Sequence, residues 1–115
     1  MKMIVAVIRP ERVRNVKDGL KAAEINALTL FPVKGRGSQA GMSFTTRTGT
    51  FCVDEIEKVM LNIAVEDHQK DLVIKTIKEH ASTGHPGDGR LFVLPLEESI
   101  KVFEEKAKEP QAPKS

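Results

Sequence analysis

The 115-residue sequence predicts an α+β domain: a four-stranded antiparallel sheet, two helices on one of its faces, and one long connection. Three observations carry that expectation. Apolar residues alternate with the period of a strand over residues 58–65. They recur at helical spacings of three and four over 11–23 and 68–82. Residues 35–55 are rich in Gly, Ser and Thr and have no helical period.

Residues 3–8 are apolar throughout, the pattern of a strand buried on both faces. Pro10 suits the start of a helix, whose apolar face is Val13, Val16, Leu20 and Ala23. A second strand at 27–33 carries Leu28, Leu30 and Phe31, the last expected in the core, and Gly35-Arg36-Gly37 breaks it. Residues 35–55 are expected to project as a loop, because an unstructured stretch of this length in a small domain is usually functional. In the third strand, 58–65, Val59, Leu61, Ile63 and Val65 face one way and Met60, Asn62 and Ala64 the other. Leu72, Val73, Ile77 and Ala81 mark the buried face of the second helix, with Gly84 placed to end it. A fourth strand follows at 90–94, and a short fifth is expected around Ile100 and Val102. The domain is bounded at 1–103; residues 104–115, with Lys, Glu, Pro110 and Pro113, are expected to form a flexible tail.

This order of elements is the ferredoxin-like split arrangement. Two helices cover only one face of such a sheet, yet Met3, Val5, Val7, Met60 and Ala64 occupy both-facing strands with no chain left to cover them. Self-association is the economical solution.

Composition excludes several functions. A net charge of +2, from 18 basic and 16 acidic residues, does not call for a nucleic-acid partner. With no Trp, no Tyr and five Phe, stacking platforms for single strands are nearly absent. The single cysteine, Cys52, excludes an internal disulfide or a Cys-x-x-Cys site and reads as an incidental free thiol. His68, His80 and His85 lack ligand spacing, so no protein-held metal is expected, and Asp54, Glu55 and Glu57 read as a solvated loop end. No apolar run reaches membrane-span length, and the short one at the start is wrongly flanked for a signal peptide. A cytoplasmic location is expected, with recruitment to a membrane only through a partner.

Two glycine-rich segments carry the remaining chemistry, residues 35–41 and 83–90. Neither has the Gly-Lys-Ser/Thr ending of a Walker loop or the strand–helix context of a dinucleotide fingerprint. Glycines nevertheless let backbone N–H groups approach an anion, and Arg90 would add a charge-assisted contact. At this level, ordinary turns remain the alternative.

Together these segments resemble the PII signal-transduction family. Thr83-Gly84-His85-Pro86-Gly87-Asp88-Gly89-Arg90, followed by Leu91-Phe92-Val93, matches the family's Thr-Gly-x-x-Gly-Asp-Gly-Lys/Arg turn, the B-loop, here about 82–90. The opening Met1-Lys2-Met3-Ile4 and Ile8-Arg9-Pro10 are similar too. Val33-Lys34-Gly35-Arg36-Gly37-Ser38-Gln39 resembles the base of its T-loop, here about 36–55.

The resemblance implies a non-enzymatic regulator: a homotrimer with sheets facing inward and an adenine nucleotide (ADP, AMP or ATP) in each cleft between chains. Gly35, Gly37, Ser38 and Gln39 would form one wall of that cleft, and Gly87, Asp88, Gly89 and Arg90 the phosphate side. Thr29 and Ala64 would enclose adenine, and Lys101 would approach the phosphates. Gln39 and Lys58, with Gly41 and Gly87, would hold a small anionic effector, either 2-oxoglutarate linked to Mg2+ and ATP or bicarbonate. Phe44, Arg47 and Phe51 would contact a partner, an ammonium or bicarbonate transporter or a metabolic enzyme.

Departures from the pattern shape the expectation. Phe51 stands where classical members carry a uridylylated tyrosine, and Gly49 where some carry a phosphorylated serine. Ser38 replaces a basic residue, while Lys101 and Phe103 replace arginines, so ATP should gain less than ADP or AMP. Two other readings are a nucleotide-independent assembly module and a small ferredoxin-like acyl phosphate hydrolase. Arg9-Pro10-Glu11 offers no glycine-rich cradle for the latter.

Overall fold

The computed structural model describes residues 1–36, 42–53 and 55–103, with backbone alone for 42–46 and 50–53. Strand β1 is Lys2–Ile8, and a 3-10 turn, Pro10–Arg12, leads into helix α1, Val13–Ala22. Strand β2 is Thr29–Gly35, followed by β3 (Met42–Thr46), β4 (Gly49–Val53) and β5 (Ile56–Val65). A second 3-10 turn precedes helix α2, Lys70–Ala81, and β6 is Gly89–Pro95. Four strands form one antiparallel sheet in the order β2-β5-β1-β6, the expected split arrangement.

The sheet owes its core to alternation. Ile4, Ala6 and Ile8 of β1 align with Ile63, Leu61 and Val59 of β5, and all point to the helices. Val16 and Leu20 of α1 and Val73 and Ile77 of α2 close over them, leaving each of these four 1% exposed or less. The helices approach closely because Gly19 has no side chain: a Cβ there would lie 2.7 Å from the His80 ring. His80 therefore lies between the helices, its Nδ1 2.8 Å from the Thr76 carbonyl, and Arg12 Nε donates to the His80 carbonyl at 3.0 Å. Helix α1 ends with Glu24 at φ 65, a left-handed position unusual for a side-chain-bearing residue, which brings Ile25 N–H to the Leu20 carbonyl at 2.8 Å.

The opposite face of the sheet carries Met3, Val5 and Val7, aligned with Ala64, Asn62 and Met60 on one side and with Leu94, Phe92 and Arg90 on the other. Nothing among the described residues covers it. Phe92 and Leu94 are 47% and 45% exposed, and Phe31, expected in the core, lies on this face at 41% because its register with Met60 turns it away from the helices.

Four further expectations are corrected. Residues 35–55 are not wholly loop: β3 and β4 pair as an antiparallel hairpin joined at Arg47-Thr48, since Thr- and Phe-rich stretches flank a glycine that tolerates φ +144 at Gly49. The short C-terminal strand does not form. Residues 96–103 have no regular structure, with Val102 99% exposed, because no strand edge of the chain is paired with them. Leu72 lies on the solvent side of α2, one position off the apolar stripe. Gly84 does not cap α2, which ends at Ala81 with Ser82 extended; Gly84 belongs to the turn beyond. Residues 104–115 lie outside the described residues.

Removing core volume should be costly. Leu61→Ala, at a fully buried position in the central strand, is expected to lower stability by about 2–5 kcal/mol, read from urea unfolding midpoints.

Candidate functional site

The second glycine-rich segment forms a turn built around one carboxylate. Asp88 Oδ2 accepts from the backbone N–H of Thr83 at 2.8 Å and of Gly84 at 3.0 Å, and from Ser82 Oγ at 3.4 Å. Its Oδ1 accepts from the Thr83 hydroxyl and, at 3.0 Å, from Arg9 Nε. With so many donors, led by the Thr83 hydroxyl, the carboxyl is held far below its ordinary pKa. The Asp88 side chain is thus consumed inside the turn. Pro86-Gly87 form the centre of a turn that closes on the Asp88 N–H, and the Gly87 N–H is left without a backbone partner among the described residues.

Glycine is obligatory where the turn enters β6. Gly89 has φ +118, and a Cβ there would lie 1.8 Å from the Val7 carbonyl oxygen. Arg90, the next residue, is exposed and makes no ion pair among the described residues.

Two further cations meet the turn from the sheet. Ile8 aligns with both Val59 and Gly89, so Arg9 emerges between Lys58 and Asp88. Arg9 Nη2 donates to the Pro86 carbonyl at 2.9 Å, and Lys58 Nζ donates to the Gly87 carbonyl. Burial lowers the Lys58 pKa, and the neighbouring Arg9 charge lowers it further, against the opposing pull of Glu11 and Asp88. A groove of about 580 Å³ runs from Asp88, Gly89 and Arg90 between α2 and β6, past Ile77, Leu91 and Val93.

The residues singled out from sequence fall into two groups. Gly35, Lys58, Gly87, Asp88, Gly89 and Arg90 gather at one end of the sheet, since Gly35 aligns with Ile56 and Arg90 with Val7. Thr29 and Ala64 lie at the other end, aligned with Asn62 and Met3. Six residues of strand separate Lys58 from Ala64, roughly 20 Å at the usual rise. Lys101 lies in the exposed segment beyond β6. Arg47 occupies the tip of the β3–β4 hairpin, and Phe44 and Phe51 are directly paired across it. Gly37, Ser38, Gln39 and Gly41 lie outside the described residues. Sequence reasoning missed Arg9, which it used only as the end of a strand; the signal was a charged residue directly after a buried strand.

The family model for Nitrogen regulatory protein P-II matches residues 1–106. The chain belongs to the P-II family. Among curated relatives, Nitrogen regulatory protein P-II 2 of Methanothermobacter thermautotrophicus is 38% identical over 102 residues, 89% of either chain. Nitrogen fixation nifHD1 region GlnB-like protein 1 of Methanosarcina barkeri is 43% identical over 102 residues, covering 89% of this chain and 93% of its own. A GlnB-like protein from the nifHD region of Methanothermococcus thermolithotrophicus is 40% identical over the same length. P-II proteins are regulators, and this chain is a nitrogen regulatory protein of that kind. None of the helices described is long and apolar enough to cross a membrane.

Gly89→Ala should destabilise the protein by at least about 2 kcal/mol, measured by thermal unfolding, because both backbone strain and the Val7 oxygen oppose a methyl group. The Asp88 carboxyl, ionised more easily when folded than when unfolded, contributes stability that is complete above its ordinary value near 3.8 and is lost as the pH falls below it. The melting-temperature gap between the parent protein and Asp88→Asn should therefore narrow between pH 7 and pH 3.

Proposed function

We propose that this chain is a trimeric P-II signal-transduction regulator whose adenine-nucleotide site is completed only between copies. The carrying observation is the division of the candidate residues. By register Arg90 is level with Met60, about 7 Å along the sheet from Thr29 and about 13 Å from Ala64, and β6 and β2 are opposite edges of the sheet, so the two groups do not adjoin within one chain and a neighbouring copy is the economical way to bring them to one nucleotide. The uncovered apolar face with Phe31, Phe92 and Leu94 supplies a reason for copies to associate.

In this reading Gly87, Asp88, Gly89 and Arg90 form the phosphate side, with the Gly87 amide and Arg90 as the donors and Asp88 and Gly89 shaping the turn. Thr29 and Ala64 of a neighbouring copy hold the base, with Gly35, Gly37, Ser38 and Gln39 beside it and Lys101 near the phosphates. Lys58, with Gln39, Gly41 and Gly87, holds a small dianionic or monoanionic effector, 2-oxoglutarate or bicarbonate. Mg2+ would accompany ATP, neutralising phosphate charge that this chain meets with few cations. ADP and AMP bind better than ATP on that account. Occupancy of the site shifts which conformations of residues 36–55 are populated, and a transporter or an enzyme of nitrogen metabolism reads the hairpin through Phe44, Arg47 and Phe51. The relatives' names place them in nitrogen regulation and fixation, and this chain takes the same setting.

Calorimetry with ADP, AMP and ATP, each with and without 2-oxoglutarate or bicarbonate, tests the reading; tight ATP binding beside weak ADP and AMP binding would refute the preference. A mixing experiment tests the shared site. Arg90→Ala and Ala64→Phe proteins are each expected to lose ADP binding at least tenfold, as loss of a charge-assisted contact or a filled base pocket implies. Refolded together, they should recover a fraction of unimpaired sites. No recovery would mean that both groups serve one site within a single chain and would overturn the shared site.

A further inference from the structure

Arg9 makes three contacts, all with its own chain. Its Nε meets Asp88 Oδ1 at 3.0 Å, its Nη2 the Pro86 carbonyl at 2.9 Å, and its Nη1 lies 4.0 Å from Glu11 Oε1. The Nε–Nη2 edge of the guanidinium is therefore spent on its own chain. What it controls is the direction of a peptide plane. A trans peptide points its carbonyl and its N–H in opposite directions, and the described chain has no cis bond. When Arg9 draws the Pro86 carbonyl inward, the Gly87 N–H of the same peptide unit must face outward. Lys58 holds the Gly87 carbonyl one unit later, on the far side of the turn. The Gly87 amide is thus left facing outward, as a donor that receives an anion does.

The fit of this strut is close. A Cβ on Gly87 would lie 3.2 Å from Arg9 Nη2, and Gly87 has φ +95. A side chain at 87 would push the guanidinium off the carbonyl it orients. A lysine at position 9 would keep the charge but reach one acceptor, Asp88 or Pro86, not both.

We propose that Arg9 is a positioning residue for phosphate binding: without touching the ligand, it aims the Gly87 amide at it. The proposal rests on the nucleotide-binding reading above. It assigns Arg9 a part in ligand affinity distinct from holding the fold.

The test is ADP calorimetry on the full chain bearing Arg9→Gln or Arg9→Lys, with the Gly87 amide proton resonance followed during titration. Arg9→Gln is expected to weaken ADP roughly tenfold, and the downfield shift of the Gly87 amide at saturation should disappear while the Arg90 resonances still respond. Arg9→Lys should recover only part of the affinity; it decides the matter should Arg9→Gln fail to fold. Unchanged ADP affinity in the folded variant would overturn the proposal. So would weakened binding that still shifts the Gly87 amide as in the parent, since loss would then come from general loosening. Failure of the unaltered protein to bind ADP would instead overturn the reading beneath it, and this proposal with it.

Discussion

A sheet with large apolar side chains on both faces cannot be satisfied by two helices. In this chain the helices seal Ile4, Ala6, Leu61 and Ile63 on one side and leave Phe31, Phe92 and Leu94 facing water on the other. Each buried apolar side chain is worth about 1.5–3 kcal/mol, so the open face is a large unused driving force. The register adds a second constraint. By sending Lys58, Gly89 and Arg90 to one end and Thr29 and Ala64 to the other, it splits the candidate ligand residues across the length of the sheet. Association of copies, as proposed above, would answer both at once.

At the polar end, organisation depends on a single hub of hydrogen bonds around Asp88. Asp88 closes the turn from within, Arg9 ties it to the end of β1, and Lys58 ties it to β5. The turn is consequently continuous with the core through Ile8, which aligns with Val59 and Gly89. On the proposal above, a change in the cations beneath it would redirect the Gly87 amide and leave the sheet as it is.

Much of this was legible in the residues. The two-residue alternation in 58–65 and the three-and-four spacing of Val13, Val16 and Leu20 report on burial directly, because side-chain direction follows backbone period. The glycine-rich turn was legible because only glycine accepts the conformations and contacts found at Gly87 and Gly89. Phe31 and Leu72 were misjudged for one reason: hydrophobicity does not say which face of a sheet or helix a residue takes when its register is unknown. The hairpin of β3 and β4 was hidden because its polar, Thr-rich sequence carries little apolar period. The C-terminal strand was expected from alternation alone, but a strand also needs an edge to pair with.

By itself the sequence determined the order of elements, the core-facing residues of the central strands, the glycine turn and the chemistry that turn can offer. Each depends on neighbours within a few positions, so local period and residue type suffice. Only the tertiary structure decided that Arg9 would pair with Asp88, that Lys58 would meet Gly87, and that Thr29 and Ala64 would lie far from both. Those relations join residues dozens of positions apart, and they are set by strand register, which propensity does not encode.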